Sequence, residues 1–158
     1  MMAAIELRMQ ILALLDHYVD AIDNDDLEAW PDFFVDDCLY EIIPKENVDF
    51  DLPAPLIRCE NKRMLRDRVI SLRNANIYPP TTYRHIISGL RIVTEDADGV
   101  AFTANYAVFS TNVDGETRIY QTGRYIDRVK KIGDAWKFVE KRAVFDTSRV
   151  QTLLALPI

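Results

Sequence analysis

The sequence is poor in the residues that build metal and redox centres. Its 158 residues include two cysteines, Cys38 and Cys59, and two histidines, His17 and His85. Neither cysteine lies near a histidine, so the paired spacing of a zinc or iron–sulfur site is missing. An iron site built from both histidines and a carboxylate is an alternative that no spacing supports. We therefore expect no metal and no other cofactor in this chain, and reduced thiols.

The chain also lacks the sequence signals of several functional classes. It contains no phosphate-binding glycine loop, no nucleophile elbow and no zinc signature. Its 19 basic and 25 acidic residues are interspersed and give a net charge of −6, so we expect neither nucleic acid nor a membrane as a partner. Apolar runs are too short to span a bilayer, and Glu6 falls in a helical pattern instead of a signal peptide. We expect a cytoplasmic protein.

The second half of the chain, residues 82–146, carries the clearest structural signal. Runs rich in Ile, Val, Phe, Tyr and Thr alternate with short segments that place Gly beside Asp, at 96–99, 114–115 and 132–134. Gly and Asp favour tight turns, whereas β-branched and aromatic residues favour strands. Four strands joined by three such short turns must pair antiparallel.

The first half predicts helices that cover this sheet. Apolar residues recur at three- and four-residue spacing in 5–23 and again in 61–76, as expected of amphipathic helices. Between them we expect a short helix at 27–34, a strand at 38–43 and a surface loop at 44–58.

This order of elements predicts one α+β domain over residues 1–158. Three helices would lie on the concave face of a cone-shaped, curved and mostly antiparallel sheet, which is the nuclear-transport-factor-2-like fold. Apolar residues occur on both sides of the first long strand, with Ile87 and Val93 on one side and Ile86 and Ile92 on the other. Because helices can cover only one face, we expect another subunit to cover the second.

Two alternative functions would use the interior of the cone. His85, paired with Tyr18 or with an acidic residue in the interior, could supply acid–base catalysis in a stand-alone dehydratase or isomerase. An apolar cavity lined by Tyr18, Trp30, Phe34 and Tyr106 could instead bind a small molecule without turnover. The structural interpretation is simpler, because a buried histidine usually has a neutral partner in the sheet or at a subunit contact, and aromatic residues at helical spacing are usually core.

Charged residues predict a subunit interface. Fork-shaped guanidinium groups suit interface ion pairs, and several arginines fall near aspartates in this chain. With His85 at a possible subunit contact, the residues expected at this interface on the outer sheet face are Arg66, Arg68, Arg84, Arg124 and Arg142, with Asp67 and Asp127.

Motifs spread over most of the chain resemble those of one known family. They are WPDFFVDDCLY at 30–40, EN at 46–47, MLRDR at 64–68, NIYP at 76–79, YRHI at 83–86, TGRYID at 122–127 and ALPI at 155–158. In this order and spacing they resemble the small (β) subunit of aromatic-ring-hydroxylating dioxygenases, the Rieske non-haem iron oxygenases.

The resemblance implies a structural subunit without catalytic residues of its own. In that family the large (α) subunit carries the Rieske [2Fe-2S] cluster and the mononuclear Fe(II), and small subunits form a trimeric base within an α3β3 hexamer. The expected partners are therefore a large oxygenase subunit and two further copies of this chain. Segments 76–78 and 83–86 and the Leu-Pro ending are most similar to members that act on aromatic carboxylates such as terephthalate or salicylate.

Overall fold

The computed structural model describes residues 2–74, 79–146 and 154–158. The predicted α+β order, with four long consecutive strands in the second half, is confirmed. In chain order the elements are α1 (Met2–Asp23), a 3₁₀ helix (Trp30–Phe33), β1 (Phe34–Pro44), α2 (Lys45–Asp49), β2 (Ile57–Cys59), α3 (Lys62–Asn74), β3 (Thr82–Asp96), β4 (Gly99–Thr111), β5 (Thr117–Ile132) and β6 (Ala135–Phe145).

Six strands form one mixed sheet in the order β2-β1-β6-β5-β4-β3. Four of the five neighbouring pairs are antiparallel, and three of these form the meander of β3 to β6 that the short turns predict. The exception is the parallel pair of β1 and β6, in which Tyr40 lies opposite Lys141. This pair joins the two halves of the chain and places residues distant in sequence side by side.

The first half differs from the prediction in three places. The short helix expected at 27–34 is a 3₁₀ helix of four residues, because Pro31 fits only a first helical turn and Phe34 is already extended. The strand expected at 38–43 therefore begins earlier, at Phe34. The segment 44–58 is not wholly a loop, since it contains α2 and also β2, which pairs with β1 through Ile57 and Ile42.

The inner face of the sheet carries a core of aromatic side chains. Tyr18 from α1, Trp30 from the 3₁₀ helix and Phe34 and Tyr40 from β1 are fully buried, together with Phe138. Their rings meet mostly edge to face, with centroids 5.1 Å apart for Trp30 and Tyr40 and 5.3 Å for Tyr18 and Phe138. None of the described helices has the length and apolar character that a membrane crossing needs.

Candidate functional site

His85 lies on β3 with its side chain buried in the inner face of the sheet. Its Nδ1 is 2.6 Å from Oδ1 of Asp23, the last residue of α1, and its backbone N–H donates to Oδ2 of the same carboxylate at 2.8 Å. The buried, hydrogen-bonded state of His85 was predicted. Its partner is an acid on a helix, as the acid–base alternative allowed, and not the neutral group that the structural interpretation expected.

The second ring nitrogen of His85 has acid–base capacity but no access. Nδ1 donates to the carboxylate in the neutral ring, which leaves a lone pair on Nε2. Nε2 is buried and has no hydrogen-bond partner among the residues that the structure describes. Asp23, which bonds this ring, lines a cleft, whereas His85 is not among the residues that line it.

Tyr18, the other half of the predicted acid–base pair, is bonded elsewhere. Its hydroxyl donates to the main-chain oxygen of Ile158 at 2.9 Å and accepts from Nε1 of Trp30 at 3.1 Å. Burial, with the nearby Tyr40 hydroxyl, raises the pKa of Tyr18 well above its ordinary value, so the phenol stays protonated. The structure therefore does not bring Tyr18 and His85 together as a pair.

The predicted cavity lined by Tyr18, Trp30, Phe34 and Tyr106 is filled. The first three rings pack on one another, and Tyr106 stacks on Tyr125 with centroids 4.5 Å apart. A cleft of about 910 Å³ does exist outside this core. Five of the twenty residues that line it are charged, namely Asp23, Asp25, Arg73, Glu116 and Arg118, and Tyr83 and Tyr120 also line it.

A buried ion pair lies deeper in the interior. Nζ of Lys141 on β6 is 2.8 Å from Oδ2 of Asp127 on β5, and both side chains are fully buried. The ammonium group also lies 3.4 Å from the ring centroid of Tyr125, 4.5 Å from that of Tyr18 and 4.7 Å from that of Phe138. These rings supply cation–π contacts in place of water. The prediction that Asp127 lies on the outer sheet face is wrong.

Burial dominates the ionisation of this pair. It raises the pKa of Asp127 to about 6, against the opposing charge of Lys141. Burial likewise lowers the pKa of Lys141, against the opposing charge of Asp127. The alternation of β6 contains a signal for this site, because Lys141 shares its face with the buried Ala143 and Phe145.

The outer face of the sheet carries part of the predicted interface set. Arg84 and Arg124 are exposed there and form no ion pair within the described parts of the chain. Ile86 and Ile126, 51% and 36% exposed, lie on the same face. Arg142 bonds the buried Glu41 on β1, with Nε 3.0 Å from Oε2.

Three residues of that set lie on α3 and not on the sheet. Arg66 is 3.9 Å from Asp32, and Asp67 is exposed. Arg68 donates from Nη2 to the main-chain oxygen of Ala155 at 2.9 Å. The predicted placement on the outer sheet face is therefore wrong for these three, because they belong to α3 (Lys62–Asn74).

The cysteines do not resemble metal ligands. Both are buried, and burial raises the pKa of the Cys38 thiol to about 11, which keeps it protonated at neutral pH. Across residues 2–74, 79–146 and 154–158, no three or more His, Cys, Asp or Glu side chains are grouped so that they could hold a metal ion.

The architecture defines the class of protein first. It is a nuclear-transport-factor-2-like α+β fold, in which buried polar side chains such as Tyr18, Asp127 and Lys141 form hydrogen bonds and ion pairs within the chain. Comparison with known proteins then gives the family, because a family model described as "Ring hydroxylating beta subunit" matches residues 17–152. This chain belongs to the ring-hydroxylating dioxygenase β-subunit family, as the motifs predict.

Individual relatives agree along nearly the whole chain. The small subunit of anthranilate 1,2-dioxygenase from Burkholderia cepacia is 50% identical over 94% of this chain and 92% of its own length. The β2 subunit of the terminal oxygenase component of terephthalate 1,2-dioxygenase from Comamonas sp. is 35% identical over 95% and 97%. A crystal structure described as the β subunit of an aromatic-ring-hydroxylating dioxygenase from Novosphingobium aromaticivorans is 43% identical, covers 99% of both chains and superposes with a TM-score of 0.90.

Proposed function

We propose that this chain is the non-catalytic structural β subunit of a Rieske-type dioxygenase that dihydroxylates a carboxylated aromatic ring. Its large partner subunit would carry the [2Fe-2S] cluster and the mononuclear Fe(II), and the complex would be cytoplasmic. The observation that carries this proposal is family membership along nearly the full chain. The filled interior, in which the Tyr18 hydroxyl is already bonded, supports it. The names of the two relatives, anthranilate and terephthalate dioxygenase, support the carboxylated substrate.

The same proposal includes a trimer of this chain within an α3β3 hexamer. An outer sheet face that exposes Ile86 and Ile126 beside Arg84 and Arg124 has the mixed apolar and arginine-rich character of subunit interfaces. Arg142 on the same face, and Arg66 and Arg68 on α3, remain candidates for such contacts. His85 and Asp127 are buried within the chain, so we leave them out of the interface set.

The purified chain alone should convert no aromatic carboxylate, whereas it should be required for activity of the large subunit. In the assembled complex, His85→Asn should lower activity only as far as it lowers the amount of complex, because Asn retains a donor for Asp23 and removes the imidazole. Activity per assembled complex, measured with anthranilate as substrate, decides this. Full assembly with activity abolished would contradict a structural role and support the acid–base alternative.

The proposed interface has its own test. Arg124→Glu should weaken self-association by at least about tenfold, because it places a negative charge on the outer sheet face where a positive one is expected to meet the partner. Sedimentation over a range of concentrations measures the change. Lys45→Glu, an exposed charge reversal on α2, which carries none of the candidate interface residues, is the matched control and should associate as the wild type does. Equal association of both variants would remove the outer sheet face from the interface.

A further inference from the structure

Residues 154–158 fill space inside the fold instead of lying on its surface. Pro157 and Ile158 are buried, and Ile158 is only 1% exposed. Ala155 lines both the 910 Å³ cleft and a second cleft of about 580 Å³. The segment therefore separates two open spaces from the aromatic core beneath it.

Hydrogen-bond donors of the core converge on main-chain oxygens of this segment. Trp30 Nε1 donates to the Tyr18 hydroxyl, which in turn donates to the oxygen of Ile158. The Tyr40 hydroxyl lies 3.5 Å from the same oxygen and accepts from the Ile158 N–H at 2.9 Å. Arg68 donates to the oxygen of Ala155, 2.9 Å away. A phenol and a guanidinium thus donate to the backbone of this segment, a second phenol accepts from it, and an indole bonds the first phenol.

The chemistry of this donor set is that of an anion site with aromatic walls. Burial raises the pKa values of Tyr18 and Tyr40, so both hydroxyls keep their protons to donate. Arg68 adds a permanent positive charge that suits a carboxylate, and its buried Nε has no partner among the described residues. Trp30 and Tyr40 meet edge to face, with ring centroids 5.1 Å apart, and make the wall aromatic.

We propose that Tyr18, Trp30, Tyr40 and Arg68 form an occluded binding site for an aromatic carboxylate, and that residues 154–158 occupy it in this structure. The main-chain oxygens of Ile158 and Ala155 take the place of the carboxylate oxygens, and the side chains of Pro157 and Ile158 take that of the ring. Displacement of the segment exposes the site. This proposal does not depend on the function proposed above, because it concerns only ligand binding within this chain.

Calorimetric titration of the purified protein with benzoate tests the proposal. A variant lacking residues 154–158 should bind benzoate at least about tenfold more tightly than the full chain, because the internal competitor is gone. Adding Arg68→Met to that variant should abolish the gain, and benzamide, which has the same ring without the charge, should show none. No gain on deletion, or a gain that survives Arg68→Met, would overturn the proposal.

A milder variant keeps the test valid if the deletion does not fold. Ile158→Ala removes part of the buried side chain that holds the segment in the fold, and it leaves Tyr18, Tyr40 and Arg68 unchanged. Benzoate should then raise the Tm of Ile158→Ala more than it raises that of the wild type, since a ligand stabilises the state that binds it. Ile132→Ala, at an exposed position in the β5–β6 turn region, is the control and should respond as the wild type does. Equal benzoate shifts in all three proteins would refute the site.

Discussion

Lys141→Met is expected to lower the free energy of unfolding by about 3–5 kcal/mol, because it leaves the Asp127 carboxylate buried without its partner. Met is close to Lys in length and volume, so the loss reports on charge more than on packing. The aromatic rings of Tyr18, Tyr125 and Phe138 attract a cation and cannot solvate an anion in its place. Urea unfolding of the single variant measures the effect.

Replacing both charges should recover most of this loss. In Asp127→Val/Lys141→Met the free energy of unfolding should return to within about 1 kcal/mol of the wild type or exceed it, because two buried charges no longer have to be desolvated. The double variant is the control for packing, because it contains the same Met at position 141 without a buried charge left unpaired. A single Lys141→Met variant as stable as the wild type would show that the pair is not buried as described.

The difference in free energy of unfolding between the wild type and the double variant should depend on pH, and the pKa of Asp127 gives the direction of the change. Because burial raises the pKa of Asp127 from 3.8 to about 6, the folded state binds this proton more tightly than the unfolded state does. The stability that the folded state gains by binding this proton is fully present below pH 3.8 and is lost as the pH rises through about 6. The stability of the wild type relative to the double variant should therefore fall between pH 4 and 6. A rise over this range would mean that Lys141 depresses the pKa of Asp127 instead.

Gly123→Ala is the second substitution with a large expected effect. A Cβ at position 123 would lie 2.2 Å from the main-chain oxygen of Val144, 2.8 Å from Cα of Phe145 and 2.8 Å from the hydroxyl oxygen of Tyr106. Two of these atoms belong to the backbone of β6, which pairs with β5 at this point, so they cannot move without breaking the ladder. We expect a loss above the roughly 1–3 kcal/mol of ordinary overpacking, measured by urea unfolding.

A second glycine provides the control for this substitution. Gly133, in the turn between β5 and β6, has a φ of +60° and no atom within 4 Å of the position of a Cβ. Gly133→Ala should therefore cost only the roughly 1–2 kcal/mol of a left-handed backbone. If Gly123→Ala costs no more than Gly133→Ala, the close approach of β6 to Gly123 is not what requires glycine there.

The sequence predicts the meander well because its signals are local. Each turn is encoded by adjacent Gly and Asp, and each strand by its own composition, so β3 to β6 could be located without knowing what they pack on. Segment 44–58 was misjudged because β2 exists only through pairing with β1, which local composition does not encode. The burial of residues 154–158 depends on Tyr18 and Tyr40, more than a hundred residues earlier.

The candidate site likewise combines residues that the local sequence identifies with partners that only the folded chain brings together. His85 could be identified from its type and strand, whereas Asp23 is brought to it across 62 positions by the packing of α1 on β3. Asp127 was assigned to the wrong face because it was expected to pair with arginines at a subunit interface. The alternation of Gly123, Tyr125, Asp127 and Val129 on one side of β5 indicates the correct face, as does Lys141 on β6.

The mass of the purified chain in solution, measured by light scattering after size exclusion, tests the central claim most directly. A structural subunit whose outer sheet face needs a partner should form a trimer, with a mass near three times 18.2 kDa. A stable monomer would contradict this account, because the apolar and arginine-rich outer face would then be tolerated in water without a second copy.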